Sequence, residues 1–413
     1  MSPVNAVAAI DIGTTKVCTL VGQENGIGGI EVIGVGIAPS RGISKGMIVD
    51  LSEATESVRL SVEQAERSSG SKILSAYVGI TGTHISSVNH RGAVTISRHD
   101  RLVCQEDVDR VLDAAKLINV ANSREILHVL PRGYILDNQS GVKDPVGLHG
   151  YRLDVEAHII TGAVTSIQNI ASCVQKVGVE VEALVFEPLV SSEAVLTAEE
   201  REIGVLLADV GGGTTDTAIF MNGSIWHASM LPVGGNHLTQ DLVIGLRSPV
   251  LAAENVKVLY GHCDPTMVDP DEEVDVESFG SERKRSIKRL KISEIIRARV
   301  EEMVELLAED IRKSGYDSVL PAGLVLTGGT AKLRGLAEVA SEVLNMPVRI
   351  ASPRDIYGLV DSISNPAYST SIGLLMWGLR HGHNGIRVTS ERGGSLGKGF
   401  GRILNWAREL LPT

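Results

Sequence analysis

Two stretches in different halves of this sequence follow the same plan. "AAIDIGTTKVCTLVG" (8–22) and "LLADVGGGTTDTAIFMNG" (206–223) each contain an apolar run, an Asp, a glycine turn, two threonines and a second apolar run. A turn between two such runs predicts a β-hairpin. Because the pattern occurs twice, the sequence predicts two related halves, each beginning with a hairpin.

The residues of these turns are suited to phosphate binding. Glycine allows several backbone N–H groups to point at one anion, threonine hydroxyls add donors, and lysine adds a cation. Carboxylates would repel bare phosphate, so Asp11 and Asp209 predict a Mg²⁺ ion between them and the phosphates, held largely through water. The predicted phosphate-binding residues are Gly13, Thr14, Thr15, Lys16, Gly211, Gly212, Gly213, Thr214 and Thr215.

A third glycine turn lies in "AGLVLTGGTAKLRGLAEVASEVL" (322–344), which predicts a buried strand, a turn and an amphipathic helix. Gly328, Gly329 and Thr330 could present bare backbone to a nucleoside. Alone, this turn would be an ordinary strand-to-helix connection, but beside two phosphate hairpins it favours a nucleotide site. The sequence contains no Walker A loop, no complete G-x-G-x-x-G after a strand and no H-E-x-x-H.

Composition narrows the class of protein. The length of 413 residues predicts two or three domains. A net charge of −11 disfavours nucleic-acid binding, and the basic run 283–291 follows an acidic run, 269–277, that offsets its field. Four scattered cysteines without a C-x-x-C pair favour a reducing cytoplasm over a disulfide framework or zinc site. Neither a signal peptide nor a spanning helix is predicted.

The end of the chain is basic and apolar although the protein is acidic. Residues 381–397 are rich in glycine and polar groups and predict a flexible linker. Residues 398–413 predict a short amphipathic helix that binds anionic lipid, with docking onto the protein itself as the alternative. The residues predicted to contact the membrane are Phe400, Arg402, Ile403, Leu404, Trp406, Arg408, Leu410 and Leu411.

Three motifs together resemble those of the actin, Hsp70 and sugar-kinase ATPases. "DIGTTK", "DVGGGTTD" and "TGGT" are similar to the phosphate-1, phosphate-2 and adenosine motifs of that superfamily. Within it, the chain resembles the FtsA family of bacterial division proteins nearly end to end, for example in "GVGIAPSRGISKGMIVDL" (34–51) and "NPAYSTSIGLLMWG" (365–378). It departs from the family mainly at 262–291.

The resemblance implies a two-lobed, actin-like α/β ATPase fold that binds ATP and Mg²⁺. The implied divisions are a lobe 1 core at 1–82 with 162–200 and 365–380, an inserted subdomain at 83–161, a lobe 2 core at 201–243 with 306–364, a second inserted subdomain at 244–305, the linker at 381–397 and the membrane-targeting helix at 398–413.

Five further residues gain roles from the resemblance. It implies that Glu187 positions hydrolytic water, although a carboxylate before Pro188 also suits a helix N-terminus. It implies that Glu254 and Lys257 contact adenosine, whereas an ordinary helix-surface ion pair has the same spacing. Arg297 and Arg299, expected to be exposed near the start of a helix at 293–311, would bind the C-terminal peptide of FtsZ or simply be solvated.

The function implied is that of a filament-forming adaptor at the cytoplasmic face of the cell membrane. It would bind ATP, hydrolyse it weakly at most, tether FtsZ filaments to the membrane at the division site, and contact other division proteins through 83–161. One alternative is a small-molecule kinase, which needs an acid–base residue against an acceptor hydroxyl. The other is an actin-like ATPase of pilus or secretion assembly.

Overall fold

Three β-sheets of four or more strands organise the chain, of which the computed structural model describes residues 6–382 except 27–28, 281–283 and 318. The predicted membrane-targeting helix and all but the first two residues of the predicted linker lie outside these residues. Within them, no helix is both long and apolar enough to cross a bilayer.

Lobe 1 is built on a six-stranded sheet in the order β11-β6-β1-β2-β3-β19. Strand β1 is buried along its whole length, which explains its continuous apolar run. Asp50 caps helix α1 by accepting from the amides of Ser52 and Glu53. The first elements of this lobe are β1 (Val7–Ile12), β2 (Lys16–Glu24), β3 (Ile30–Pro39), β4 (Ile43–Ser44), β5 (Met47–Ile48), α1 (Leu51–Ser69) and β6 (Ser75–Ile80).

An inserted unit follows, with an antiparallel sheet in the order β7-β10-β8-β9 and a core of its own. The helical spacing of the apolar residues within 104–118 predicts that Val108, Val111, Leu112, Ala115 and Ile118 pack into a core. The first four are buried on one side of the helix, but the helix ends at Ala115, and Ile118 lies beyond it, partly buried against the same core. Strand β10 leads directly into the next helix of lobe 1. The elements of the insert are β7 (Ser86–Thr95), α2 (Gln105–Ala115), β8 (Arg124–Leu136), β9 (Gln139–Val142) and β10 (Arg152–Ala163).

Lobe 2 contains a five-stranded sheet in the order β14-β13-β12-β17-β18, and the chain crosses to it once and then returns. The remaining elements are α3 (Val164–Lys176), β11 (Glu180–Phe186), α4 (Glu187–Val195), α5 (Ala198–Ile203), β12 (Val205–Val210), β13 (Thr215–Met221), β14 (Ser224–Leu231), α6 (Gly235–Leu246), α7 (Val250–Tyr260), β15 (Glu273–Val276), β16 (Arg285–Lys288), α8 (Arg289–Ser314), β17 (Leu324–Thr327), α9 (Leu336–Leu344), β18 (Val348–Ile350), β19 (Ile356–Gly358) and α10 (Ser369–His381).

Both predicted hairpins are confirmed. Strands β1 and β2 pair antiparallel with Asp11 opposite Cys18, and β12 and β13 pair in the same way with Asp209 opposite Asp216. In each hairpin the aspartate is the second-to-last residue of the first strand. The two halves of the chain therefore present the same local structure, as the repeated sequence pattern predicts.

Candidate functional site

The turns of the two hairpins line one cavity between the lobes, with a volume of about 80 Å³. The cavity is smaller than most ligand pockets, which measure roughly 300–1,000 Å³. Of the residues predicted from the sequence, those that line the cavity are Asp11, Gly13, Thr14, Thr15, Lys16, Glu187, Asp209, Gly211, Gly212, Thr214, Gly328 and Gly329.

Three predicted residues support the cavity from outside its lining. Gly213 lies against Thr14, since a Cβ placed on it would be 2.9 Å from the Thr14 hydroxyl oxygen. The Thr215 hydroxyl donates to the Val233 carbonyl at 2.8 Å. The Thr330 hydroxyl donates to the Gly211 carbonyl at 2.8 Å and thereby joins the third glycine turn to the second.

The turns approach each other so closely that side chains would not fit. A Cβ on Gly212 would lie 2.5 Å from the Thr15 methyl carbon of the opposite lobe. Gly328 has φ of +88° and its missing Cβ would overlap a carboxylate oxygen of Asp209. Glycine is therefore required at both positions, and bare backbone faces the cavity.

Four carboxyl groups line this space: Asp11, Glu187 and Asp216 are buried, and Asp209 is half-buried. The hydroxyl of Ser371 donates to Asp11 at 2.7 Å, and those of Ser191 and Thr370 both donate to Asp209 at 2.9 Å. Burial raises the pKa of each carboxyl group, and neighbouring carboxylates raise the pKa values of Glu187, Asp209 and Asp216 further; the pKa of Asp216 rises to about 7.

Lys16 is the cation that faces these acids. Its ammonium donates to the Ala367 carbonyl at 2.5 Å and lies 4.7 Å from the centre of the Tyr368 ring. Its charge lowers the pKa values of Asp11, Asp209 and Glu187, but less than burial raises them. Among the described residues that line the cavity, carboxyl groups outnumber this one lysine, and such oxygen ligands fit Mg²⁺ and the phosphates it accompanies.

Glu187 begins α4, with Pro188 directly after it, as the sequence predicts. The side chain is buried against Gly79, and burial followed by the charges of Asp11, Asp216 and Asp209 raises its pKa well above the usual range. A protonated carboxyl group cannot accept a proton from water. A cation bound between these acids would lower that pKa and restore the carboxylate.

Glu254 and Lys257 form the predicted pair beside the third turn. The Lys257 ammonium lies 2.6 Å from the Glu254 carboxylate and donates to the Gly235 carbonyl at 3.1 Å. Gly235 in turn lies against Thr330, so the pair adjoins the predicted adenosine turn although it does not line the 80 Å³ cavity.

Arg297 and Arg299 differ from the expectation that they are exposed. Their side chains retain only 20% and 26% of their accessible surface, since each is held by two carboxylates. Arg297 pairs with Glu301 and Glu342, and Arg299 pairs with Asp241 and Glu302. Helical periodicity does not reveal such partners because Asp241 and Glu342 come from other elements.

Three polar residues that line the cavity were not predicted from the sequence. Asp216 ends the quoted motif "DVGGGTTD", Thr370 lies in the quoted stretch 365–378, and Thr81 directly follows β6. The sequence pattern that could have identified them is a polar residue within an otherwise apolar run. The run Ser369, Thr370 and Ser371 opens a helix that is buried through Gly378, where isolated hydroxyls need partners.

Sequence comparison gives the family. The family model described as cell division protein FtsA matches residues 206–373, and the SHS2 domain inserted in FtsA matches 82–161. Cell division protein FtsA of Pseudomonas aeruginosa is 41% identical over 383 residues, covering 93% of this chain and 91% of that protein. FtsA of Escherichia coli K12 is 39% identical over 411 residues, covering 98% and 97%. The chain belongs to the FtsA family of cell division proteins.

Solved structures show that this FtsA-family chain has the actin-like fold predicted for it. The PilM–PilN type IV pilus biogenesis complex matches with a TM-score of 0.66 at 15% identity, covering 90% of this chain and 98% of that chain. MreB5 of Spiroplasma citri bound to ADP matches with a TM-score of 0.54 at 15% identity, covering 91% and 96%. At such identities the likeness concerns fold alone, and the FtsA relatives decide against the kinase and pilus alternatives.

Proposed function

We propose that this protein is an ATP-binding, filament-forming adaptor that tethers FtsZ filaments to the cytoplasmic face of the membrane at the division site. The main support is that two matched glycine turns, one from each lobe, line the same cavity. The relatives of this chain are cell division proteins. The fold neighbour MreB5 is known bound to ADP and to AMPPNP, which favours an adenine nucleotide here.

The hairpin turns would hold the phosphates. Residues 13–15 and 211–214 would bind the phosphates from opposite lobes through hydroxyls and through backbone amides other than those of Gly13 and Gly211, which bond within their own hairpins. Lys16 would leave the Ala367 carbonyl for phosphate oxygens. Asp11 and Asp209 would hold Mg²⁺ through water, and the ion would neutralise charge on the phosphates. Glu254, Lys257 and Thr330 would contact the nucleoside.

Hydrolysis would be weak. Glu187 is the residue that would position water, but burial and the charges of Asp11, Asp216 and Asp209 raise the pKa of its carboxyl group and disfavour the carboxylate that would accept a proton. ATP then serves chiefly to hold two lobes in one arrangement. A fixed arrangement favours repeated contacts between copies of the chain, and thus a filament.

Membrane attachment would depend on residues 398–413, which lie outside the described residues. An amphipathic helix of this length is a reversible anchor, with an affinity near that of one myristoyl chain, about 10⁴ M⁻¹. Joining many copies in a filament would raise the combined affinity by roughly 10²–10⁴. Polymerisation would therefore convert weak anchors into firm attachment to anionic lipid.

The FtsZ peptide would bind near the start of α8. Arg297 and Arg299 are half-buried, so an acidic peptide would have to displace Glu342 or Glu302 from them rather than meet free cations. We expect the double substitution Arg297→Glu and Arg299→Glu to weaken FtsZ-peptide binding in fluorescence anisotropy. Arg312→Glu, at the other end of the same helix, is the matched control, and equal affinity in all three proteins would refute the assignment.

Liposome flotation tests the whole proposal. FtsZ should float with vesicles that contain anionic lipid only when this protein, ATP and Mg²⁺ are all present. FtsZ that floats without this protein, or fails to float with it, would contradict the adaptor function.

A further inference from the structure

The insert and lobe 2 meet through two residues that interrupt their strands. In β8, Pro131 and Gly133 pair with neighbouring residues of β10, so Arg132 between them is left out of the ladder as a β-bulge. In β14, Ile225 and His227 pair with neighbouring residues of β13, so Trp226 is bulged as well. A bulge turns a side chain away from the regular alternation of its strand.

The two bulged side chains stack on each other. The Arg132 guanidinium lies 3.8 Å from the centre of the Trp226 ring and also donates to the Tyr316 hydroxyl at 3.3 Å. Tyr316 packs edge-on against Trp226, with ring centres 5.7 Å apart. No salt bridge joins Arg132 to a carboxylate within the described residues, so the Trp226 face and the Tyr316 hydroxyl are the groups that stabilise its charge here.

Polar contacts extend this interface along β7. The Ser87 hydroxyl donates to the Ala228 carbonyl at 2.9 Å, and the Asn89 amide donates to the Trp226 carbonyl at 3.3 Å. Asn89 also bonds His158, whose pKa falls to about 3 through burial and the nearby His227 and Arg132. His158 is therefore neutral at physiological pH, and Arg132 supplies the positive charge at the interface between the insert and lobe 2.

The same insert is fixed to lobe 1 by the first half of β8. The Phe186 amide donates to the His128 imidazole at 2.9 Å, directly before Glu187 of the nucleotide site. His128 and Arg132 are four residues apart, or roughly 13 Å along a strand. One strand of the insert thus contacts both lobes, so a movement of the lobes apart would strain one of these contacts.

We propose that Arg132, Trp226 and Tyr316 form a latch that docks the insert on lobe 2, and that this latch opens when the nucleotide cleft opens. Docking itself is independent of any ligand. Its link to the cleft rests on the proposed function, because it requires that ATP binds there. The contact to lobe 2 is the one that breaks, since β10 also continues into α3 and keeps the insert on lobe 1.

Hydrogen exchange of the nucleotide-free protein tests the docking. Arg132→Met keeps the length of the side chain and removes its charge, and Trp226→Phe is a milder variant that keeps a ring. We expect backbone amides of 224–231 to exchange roughly tenfold faster in Arg132→Met, the change that about 1.4 kcal/mol produces. Unchanged exchange of 224–231 in both folded variants would overturn the latch.

Arg101→Met is the matched control, because Arg101 makes a cation–π contact with Tyr151 inside the insert, 4.9 Å from the ring centre. It should leave the exchange of 224–231 unaltered. An equal effect of Arg101→Met would mean that loosening the insert, not the latch, exposes β14.

Dissociation of mant-ATP with Mg²⁺, followed by stopped-flow fluorescence, tests the link to the cleft. We expect roughly tenfold faster release from Arg132→Met than from the unsubstituted protein or Arg101→Met. Faster exchange with unaltered release would overturn the link and leave the docking in place. If mant-ATP does not bind the unsubstituted protein, the proposed function fails, and hydrogen exchange still decides the latch.

Discussion

The Thr81 hydroxyl donates a hydrogen bond to the Asp216 carboxylate across the cleft. Thr81 directly follows β6 of lobe 1, and Asp216 lies in β13 of lobe 2. Both are buried, with 7% and 4% of their surface accessible. The contact joins the lobes at a carboxyl group whose pKa burial has raised to about 7. Protonation at this point is therefore linked to folding and to ligand binding.

The contribution of Asp216 to the free energy of unfolding should fall as the pH rises from 3.8 to about 7. The folded pKa of Asp216 is about 7 against 3.8 for the unfolded group, so the folded state binds the extra proton between these values. Its contribution is complete below the unfolded pKa and is lost as the pH rises through the folded one. We expect Asp216→Asn to raise the melting temperature at pH 8 by on the order of 1–3 °C, with a smaller gain at pH 5. Differential scanning fluorimetry measures both, and a gain that is larger at pH 5 would contradict the titration.

Lys16→Met should weaken ATP binding by roughly 10–100-fold, the usual effect of removing a charged hydrogen-bond donor. Isothermal titration calorimetry with Mg-ATP gives the affinity. Lys72→Met removes an exposed lysine that pairs with Glu66, and it is the control for general loss of positive charge. Equal affinities of the two variants would remove Lys16 from the phosphate site.

Gly329→Ala should separate binding from folding. A Cβ on Gly329 meets only the Ala367 methyl group at 3.8 Å, an ordinary contact, yet Gly329 lines the cavity. We expect an unchanged melting temperature and a loss of mant-ATP affinity of roughly tenfold or more, because the methyl group occupies space that the ligand needs. Full binding by Gly329→Ala would place the nucleotide elsewhere.

Much of the fold and of the site follows from local sequence. The hairpins at Asp11 and Asp209 are visible because each combines apolar strands with a glycine turn, and both signals act within a few residues. Their repetition predicts two halves. The helix within 104–118 follows from the helical spacing of its apolar residues, although it ends at Ala115, before Ile118.

Contacts between distant segments could not be predicted in this way. The donors to Asp209 come from Ser191 and Thr370, which are 18 and 161 positions away, and the carboxylates that hold Arg299 include one 58 positions away. Arg132 and Trp226 meet only because each is bulged from its strand, and a bulge depends on the register of a distant partner strand. Periodicity within one segment contains no information on that register.

Electron microscopy on lipid monolayers tests the central claim, that ATP-driven assembly attaches this protein to membranes through its end segment. The full chain and a variant ending at Gly397 are compared on anionic lipid with Mg-ATP and without nucleotide. The account predicts membrane-bound filaments only for the full chain with Mg-ATP. Filaments of the shortened variant on the lipid, or equal binding of the full chain without nucleotide, would contradict it.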